Sequence, residues 1–171
     1  MTQTPPSMYD ASIPVFIRAL TRLSSLLDKG LAHARVHGID PEELVGTRLA
    51  EDMYALSAQV QRASDTAKAA GARLAGIDVP SFPDTETTFP ELQERIAKTI
   101  AFLNTLRPEQ LEGSESRHIA FRLPNGPLSF DGKTFLLSFS LPNFFFHVTT
   151  AYGILRHKGV RIGKVDYLGL P

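Results

Sequence analysis

The sequence predicts an all-α protein: a four-helix bundle with one long crossover connection and a short β-hairpin inserted between helices 3 and 4. Two observations predict it. Apolar residues recur every three or four positions over four long stretches, which is the period of a helix face. A short stretch between the third and fourth of these alternates in polarity instead, which is typical of strands. At 171 residues the chain is expected to form a single domain, residues 1–171.

The first two helices are predicted over about residues 8–37 and 41–73. Gly38 follows the first helix and suits a left-handed C-cap. Asp40 and Pro41 are a start signal for the second helix, because Asp favours the N-cap position and Pro favours the first helical position. The helical spacing of the second stretch continues beyond Gly46 at Leu49, Met53, Leu56, Val60, Ala63 and Ala67.

The third helix is predicted over about residues 89–106. Thr88 and Glu91 have the spacing of a capping box at its start. Pro108 restricts the residue before it and therefore ends the helix. The segment that precedes this helix contains two prolines and several short polar residues, so we expect a loop there.

The remaining elements are a hairpin over about residues 118–130 and a fourth helix over about 133–157. The hairpin combines the alternating stretch HIAFRL with the turn sequence PNG. Pro142 removes one backbone hydrogen bond from the fourth helix and is expected to bend it. The last dozen residues are expected to form an extended tail on the surface.

Composition argues against several classes of function. Lys plus Arg equals Asp plus Glu, 18 each, so there is no basic excess for nucleic acid. The absence of cysteine excludes disulfides, thiolate metal sites and a cysteine nucleophile. The N-terminus lacks the pattern of a signal peptide, which favours the cytoplasm. Residues 134–155 carry no charge, but frequent polar residues argue against a membrane helix.

The fourth helix carries the most unusual candidate residue, His147, directly after three phenylalanines. On a helix, it joins Asn143 and Thr150 in a polar seam beside an apolar seam that includes Leu137. It is either a core histidine hydrogen-bonded to Asn143, Thr150 or a backbone carbonyl, or a functional ligand. Apolar side chains continue around the far side of this helix, so it needs cover on most sides. A homodimer formed through the apolar bundle surface is therefore expected.

A functional His147 needs partners from other helices. His33 and His37 lie one turn apart on helix 1, a spacing that suits two metal ligands, although a histidine at the helix end such as His37 also suits the helix dipole. Asp52, if helical, falls at a similar depth on helix 2, although pairing with Arg48 at the surface explains it equally well.

Three side chains, His33, Asp52 and His147, are therefore the metal-ligand candidates, and with Asn143 they outline a polar ligand pocket. For catalysis, His147 is the candidate general base and Tyr152 the candidate donor.

Three blocks of the sequence resemble the DinB/YfiT-like four-helix-bundle superfamily, and most closely its branch called domain of unknown function 1993. They are HARVHGIDPEELVGTRLAEDMYALSAQVQRASDTAKAAGARLAG, FPDTETTFPELQERIAKTIAFL and LPNFFFHVTTAYGILRHKGVRIGKVDYLG. The resemblance implies an up-down-down-up bundle that dimerises. It also implies a divalent metal, often nickel or zinc, held by one histidine early in helix 2 and two spaced HxxxH in helix 4. Some such relatives are thiol-dependent transferases or isomerases.

The chain departs from that histidine pattern. His147 matches the first helix-four position, but the residue four positions later is Ala151, and the early helix-two region offers Asp52. The first expectation is therefore a cytoplasmic homodimer whose degenerate ancestral metal site remains as a polar ligand pocket. The alternative is a zinc- or nickel-dependent thiol transferase or hydrolase-like enzyme with a rearranged site of His33, Asp52 and His147. The sequence leaves open whether the protein is an enzyme.

Overall fold

The computed structural model describes residues 5–170 and shows a mostly helical protein with one small antiparallel sheet. Residues 1–4 and 171 of the expected domain lie outside the described residues. The helices are α1 (Ile13–His37), α2 (Pro41–Val45), α3 (Leu56–Ala75), α4 (Phe89–Leu103), α5 (Gly132–Thr134), α6 (Leu141–His157) and α7 (Lys164–Leu168). The strands are β1 (His118–Leu123) and β2 (Gly126–Asp131), and a π-helical segment, Phe135–Ser140, joins α5 to α6.

The four long helices surround a contiguous apolar core. Helix α1 packs against α4 and α6, and α3 packs against the same two helices. Each long helix contributes fully buried apolar side chains to this core, among them Phe16, Leu23, Val60, Ile96 and Phe144. Within residues 5–170, no helix is both long enough and apolar enough to cross a membrane.

Helix α1 begins five residues later than predicted and ends where predicted. Residues 8–12 form turns, and the regular helix starts at Ile13 with Pro14 in its first turn. A proline is tolerated there because its missing N–H has no intrahelical acceptor. Gly38 adopts the left-handed conformation, with φ of 65°, and donates its N–H to the carbonyl of Ala34.

The prediction of one continuous helix over 41–73 is wrong. Helix α2 starts at the predicted signal but ends after five residues, and residues 46–55 form a loop before α3. This loop closes on itself, because Arg48 pairs with Ala55 in an isolated antiparallel bridge and Leu56 donates its N–H to the carbonyl of Thr47. Leu49, which fitted the helical spacing, is 44% exposed in this loop.

The capping box of α4 is confirmed. Thr88 Oγ1 accepts the N–H of Glu91, and the Glu91 carboxylate accepts the N–H groups of Thr87 and Thr88. These hydrogen bonds to the charged form hold the pKa of Glu91 below its ordinary value. The helix ends at Leu103 rather than 106, because residues 104–106 form a turn.

The hairpin forms where it was predicted and leans on the helical part through aromatic rings. Ile119 pairs with Phe130 in the antiparallel register. Phe121 and Phe130 lie within 6.3 Å, centroid to centroid, of Phe135 in the π-helical segment. A two-stranded sheet is marginal by itself, so this aromatic cluster is what stabilises it.

The fourth helical stretch, predicted over 133–157, runs from Gly132 to His157 but changes its winding before Pro142. Leu141 donates its N–H to Leu136, five residues back, which is the π-helical pattern. The extra residue rotates the faces on either side, so Leu137 is 49% exposed although the regular spacing placed it on the buried seam. Beyond this stretch, the predicted extended tail contains the short helix α7, whose Asp166 accepts the N–H of Gly163.

Candidate functional site

His147 projects from α6 toward α3 and is only 8% exposed. Its Nδ1 lies 2.8 Å from Oε1 of Gln59, which is itself buried. The amide of Gln59 is oriented by a second bond, in which its Nε2 donates to the carbonyl of Tyr54 at 3.1 Å. Because an amide oxygen only accepts, Nδ1 of His147 must carry the proton. The lone pair of the ring is therefore on Nε2.

The His147 ring is neutral at physiological pH. Burial, and secondarily the positive charge of Arg62, lower its pKa from 6.5 to about 4. Nε2 has no hydrogen-bond partner among residues 5–170 and is not fully buried. A neutral imidazole of this kind accepts a hydrogen bond well, but it is a poor general acid and a weak base at pH 7.

Aromatic and cationic groups lie near this histidine. The Phe146 ring stands edge-on to the His147 ring with centroids 5.3 Å apart. The Arg62 guanidinium, whose charge acts on the His147 ring, lies over the ring of Tyr54, 5.6 Å from its centroid. Phe146 is 57% exposed, and Tyr54 is also exposed. We call Tyr54, Gln59, Arg62, Phe146 and His147 the His147 site.

The structure brings together only two of the four predicted pocket residues. Asn143 lies one turn before His147 and, like it, bonds across to α3, donating from Nδ2 to Thr66 Oγ1 at 3.0 Å. His33 is on α1, where its ring stacks on His37 and lies against Gly159. Asp52 is exposed in the loop between α2 and α3.

Tyr152, the candidate proton donor, packs on the other side of α6. Its ring stands edge-on to that of Tyr167, with centroids 5.8 Å apart. The structure records no contact between Tyr152 and His147 among the residues it describes, so the geometry does not join the two candidates in one catalytic pair.

The residues present do not fit the three-ligand metal site that the superfamily resemblance implies. Across residues 5–170, no group of three or more His, Asp or Glu side chains is arranged to hold a metal ion. Ala151 occupies the position of the second helix-four histidine. Asp52 cannot replace a helix-two ligand, because α2 ends at Val45 and leaves it in the loop. The geometry therefore gives no support to the rearranged set of His33, Asp52 and His147.

A buried ionic cluster, which sequence reasoning missed, lies on the other side of α3. Arg95 on α4 is only 2% exposed, and all three nitrogens of its guanidinium donate hydrogen bonds. The acceptors are Ser64 Oγ, the carbonyl of Pro83, and the carboxylates of Asp65 and Glu86, at 2.8–3.1 Å, and Asp84 forms an ion pair with Nη2 at 3.0 Å. Two further cations, Arg62 and Lys68, pair with Asp84 and Asp65.

One signal for this cluster was present in the sequence. Arg95 lies on the buried stripe of α4, three residues after Leu92 and four before Thr99. A charged residue on such a stripe needs partners. The segment before α4 carries Asp84 and Glu86, which supply two of them.

Comparison with solved structures places this helical fold among DinB-like proteins. One similar structure is a crystal structure, at 1.83 Å resolution, of a DinB family member protein from Shewanella denitrificans. It superposes with a TM-score of 0.89 at 38% identity, over 96% of this chain and 93% of that one.

Within that class, the chain belongs to the family described as domain of unknown function (DUF1993), whose model matches residues 8–168. No curated protein matches the sequence.

Proposed function

We propose that the protein is a binding protein that recognises a small amphipathic molecule at the His147 site. The observation that carries this proposal is the hydrogen bond from Nδ1–H of His147 to Gln59. This bond leaves Nε2 of the ring as a neutral acceptor at a partly open position. A ligand hydroxyl or amide N–H can donate to Nε2, while its apolar part lies against Tyr54. Recognition requires no more than these groups, whereas catalysis requires an acid, base or nucleophile beside the ring.

The direct test is ligand-observed NMR with two probes of matched shape, p-cresol and toluene. Saturable binding of p-cresol, at least about threefold tighter than that of toluene, is expected because only p-cresol donates a hydrogen bond. The variant His147→Phe keeps an aromatic ring but removes Nε2, so it should bind both probes equally. If wild-type protein shows no preference for p-cresol, or if the preference survives in His147→Phe, this proposal is wrong.

We also propose that the protein is a homodimer whose copies meet at an apolar groove beside the His147 site. The groove has a volume of about 650 Å³ and is lined by uncharged residues: Leu49, Phe145, Phe146, Thr149, Thr150, Tyr152 and Gly153. Leu49 and Phe146 are exposed large apolar side chains in it. The formal net charge of zero means that two copies do not repel each other at long range.

Light scattering coupled to size exclusion tests the dimer. Wild-type protein should elute with twice the mass of one chain, and Phe146→Glu should shift it to the monomer because the carboxylate would be buried unpaired. Leu137→Glu is the matched control, since Leu137 is a similarly exposed apolar residue of the same helical stretch but lies outside the groove. A monomeric wild type, or equal dissociation by both variants, would contradict the proposal.

The up-down-down-up order of the four long helices is also an inference. It is supported by the α3–α4 loop, which leaves α3 at Gly76 but places Glu86 beside Gln61, near the start of α3. A chain that returns in this way starts α4 in the same direction as α3.

A further inference from the structure

We propose that His33 and His37 form a second site, which binds one divalent transition-metal ion at the surface end of α1. This metal site is separate from the His147 site and does not depend on it. The i, i+4 spacing places both side chains on the same face of the helix. Imidazole nitrogens are preferred ligands of Ni²⁺, Cu²⁺ and Zn²⁺.

The separation of the two rings already suits one shared ion. Their centroids are 4.1 Å apart and their planes are inclined by 30°. Two imidazoles bound at right angles to one ion, with metal–nitrogen bonds of about 2.1 Å, have centroids about 4.5 Å apart. Rotation of the two side chains is what would turn one nitrogen of each stacked ring toward a common ion.

The hydrogen bonds of the pair leave suitable lone pairs free. Nδ1 of His37 lies 2.9 Å from the backbone carbonyl of His33, so it must be the protonated nitrogen and Nε2 carries the lone pair. A metal-binding histidine typically donates its other N–H in this way. Neither ring nitrogen of His33 has a hydrogen-bond partner within residues 5–170.

The surroundings are compatible with a cation. The pair borders a groove of about 280 Å³ that also includes Lys29, Gly159 and Arg161. Lys29 is neutralised by its ion pair with Asp166. Helix α1 ends at His37, and the turn that follows the end of α6 lies against His33. The partial negative charge of two helix C-termini thus offsets the remaining positive charge of Arg161. Two protein ligands leave the other coordination positions to water.

Calorimetric titration of chelator-stripped, tag-free full-length protein with NiCl₂ tests this site. Saturation at one ion per chain is expected, and His33→Asn and His37→Asn should each weaken binding at least about tenfold, because each removes one of two protein ligands. His157→Asn is the matched control, since His157 is an exposed histidine in the last turn of α6. His147→Asn is a second control and should also bind Ni²⁺ normally.

Electron paramagnetic resonance of the Cu²⁺ form provides an independent readout. Hyperfine coupling to two imidazole nitrogens is expected in wild-type protein, and coupling to one in each single variant. Unchanged nickel affinity in both His33→Asn and His37→Asn overturns the proposal. Loss of binding in His147→Asn alone also overturns it, and would place the ion at the His147 site instead.

Discussion

At the scale of single residues, the unusual group is a histidine that the folded chain keeps neutral. The pKa of His147 is about 4 in the fold and near 6.5 in an unfolded chain. Between these values, the unfolded chain binds a proton that the folded chain does not. Titration of this residue therefore leaves the unfolding free energy unchanged above about pH 6.5. As the pH falls from about 6.5 to about 4, it lowers the unfolding free energy.

Chemical denaturation across that pH range should show the loss directly. Wild-type protein is expected to lose about 2 kcal/mol of unfolding free energy that His147→Asn does not lose. Asn is the appropriate replacement because its amide can still donate to Gln59 but does not titrate. Asp131 and Asp166, whose pKa values are lowered by hydrogen bonds, lose their contributions only below the ordinary carboxyl range, at lower pH. An identical pH dependence in the variant would refute the assignment.

The sequence predicted that this histidine is either a core residue or a ligand, but it could not identify its partner. Asn143 and Thr150 were the expected hydrogen-bond partners because they share the seam of α6. The actual partner is Gln59, in the first turn of α3. Pairing across helices depends on where each helix begins, and the start of α3 was mispredicted.

At the scale of elements, the α3–α4 loop depends on Arg95. Three carboxylates, Asp65, Asp84 and Glu86, converge on this buried guanidinium, and two of them belong to the loop. Removing the cation would leave these partly buried charges without their main partner, which costs far more than the loss of an exposed pair.

The variant Arg95→Met is therefore expected to lose about 3 kcal/mol of unfolding free energy, measured by urea denaturation at neutral pH. Methionine fills a similar volume, so the loss reports on charge and hydrogen bonds rather than on a cavity. The control is Lys98→Ala on the same helix, which removes an exposed pair with Glu94 and should cost less than about 0.5 kcal/mol. Similar losses in the two variants would mean that the buried cluster adds no stability.

Element boundaries were predictable where side chains cap a helix, and not where the backbone changes its winding. Thr88 and Glu91 predicted the start of α4 correctly, because their hydrogen bonds form within a segment of four consecutive residues. The π-helical segment has no such capping pair. The missing N–H of Pro142 is visible in the sequence, but Phe135 and Phe139 also pack on Phe121 and Phe130 of the hairpin. Those contacts are distant in the sequence, so regular spacing assigned Leu137 to the wrong face.

At the scale of the whole molecule, the approach of the helices is set partly by glycines. A Cβ added to Gly71 on α3 would lie 2.8 Å from Leu106 and 2.9 Å from Leu103. A Cβ added to Gly153 on α6 would meet nothing closer than 3.9 Å. Both glycines are inside helices, where alanine is intrinsically favoured, so packing alone distinguishes the two positions.

The two alanine substitutions are expected to change the unfolding free energy in opposite directions. Gly153→Ala should raise the unfolding free energy by about 0.5–1 kcal/mol, as helix propensity predicts. Gly71→Ala should lower it by about 1–2 kcal/mol, because overpacking a buried contact outweighs the same propensity gain. Thermal and urea unfolding of both variants and of wild type test this expectation. If both substitutions raise the unfolding free energy, α3 can shift to accommodate the added methyl group without losing stability.

The bundle architecture was predictable because it rests on the repetition of apolar positions over long stretches. A single misplaced residue such as Leu49 does not change that signal. The site was less predictable: Asp52 was assigned to a helix that ends at Val45, so a predicted three-residue set was built on a position that the fold leaves in a loop. An error of a few residues in a predicted helix boundary does not change the predicted fold, but it can remove a residue from a predicted site.

Side-chain contacts hold the second half of the α3–α4 loop in place, and this limits where the family's sequences can vary in length. Phe82 lies under the cations of Lys68 and Arg95, and Asp84 and Glu86 are bound to Arg95. In residues 77–81, by contrast, Ile77 and Val79 are exposed to solvent. Insertions and deletions among relatives should therefore collect in the first half of this loop, while the spacing from Phe82 to the start of α4 stays fixed.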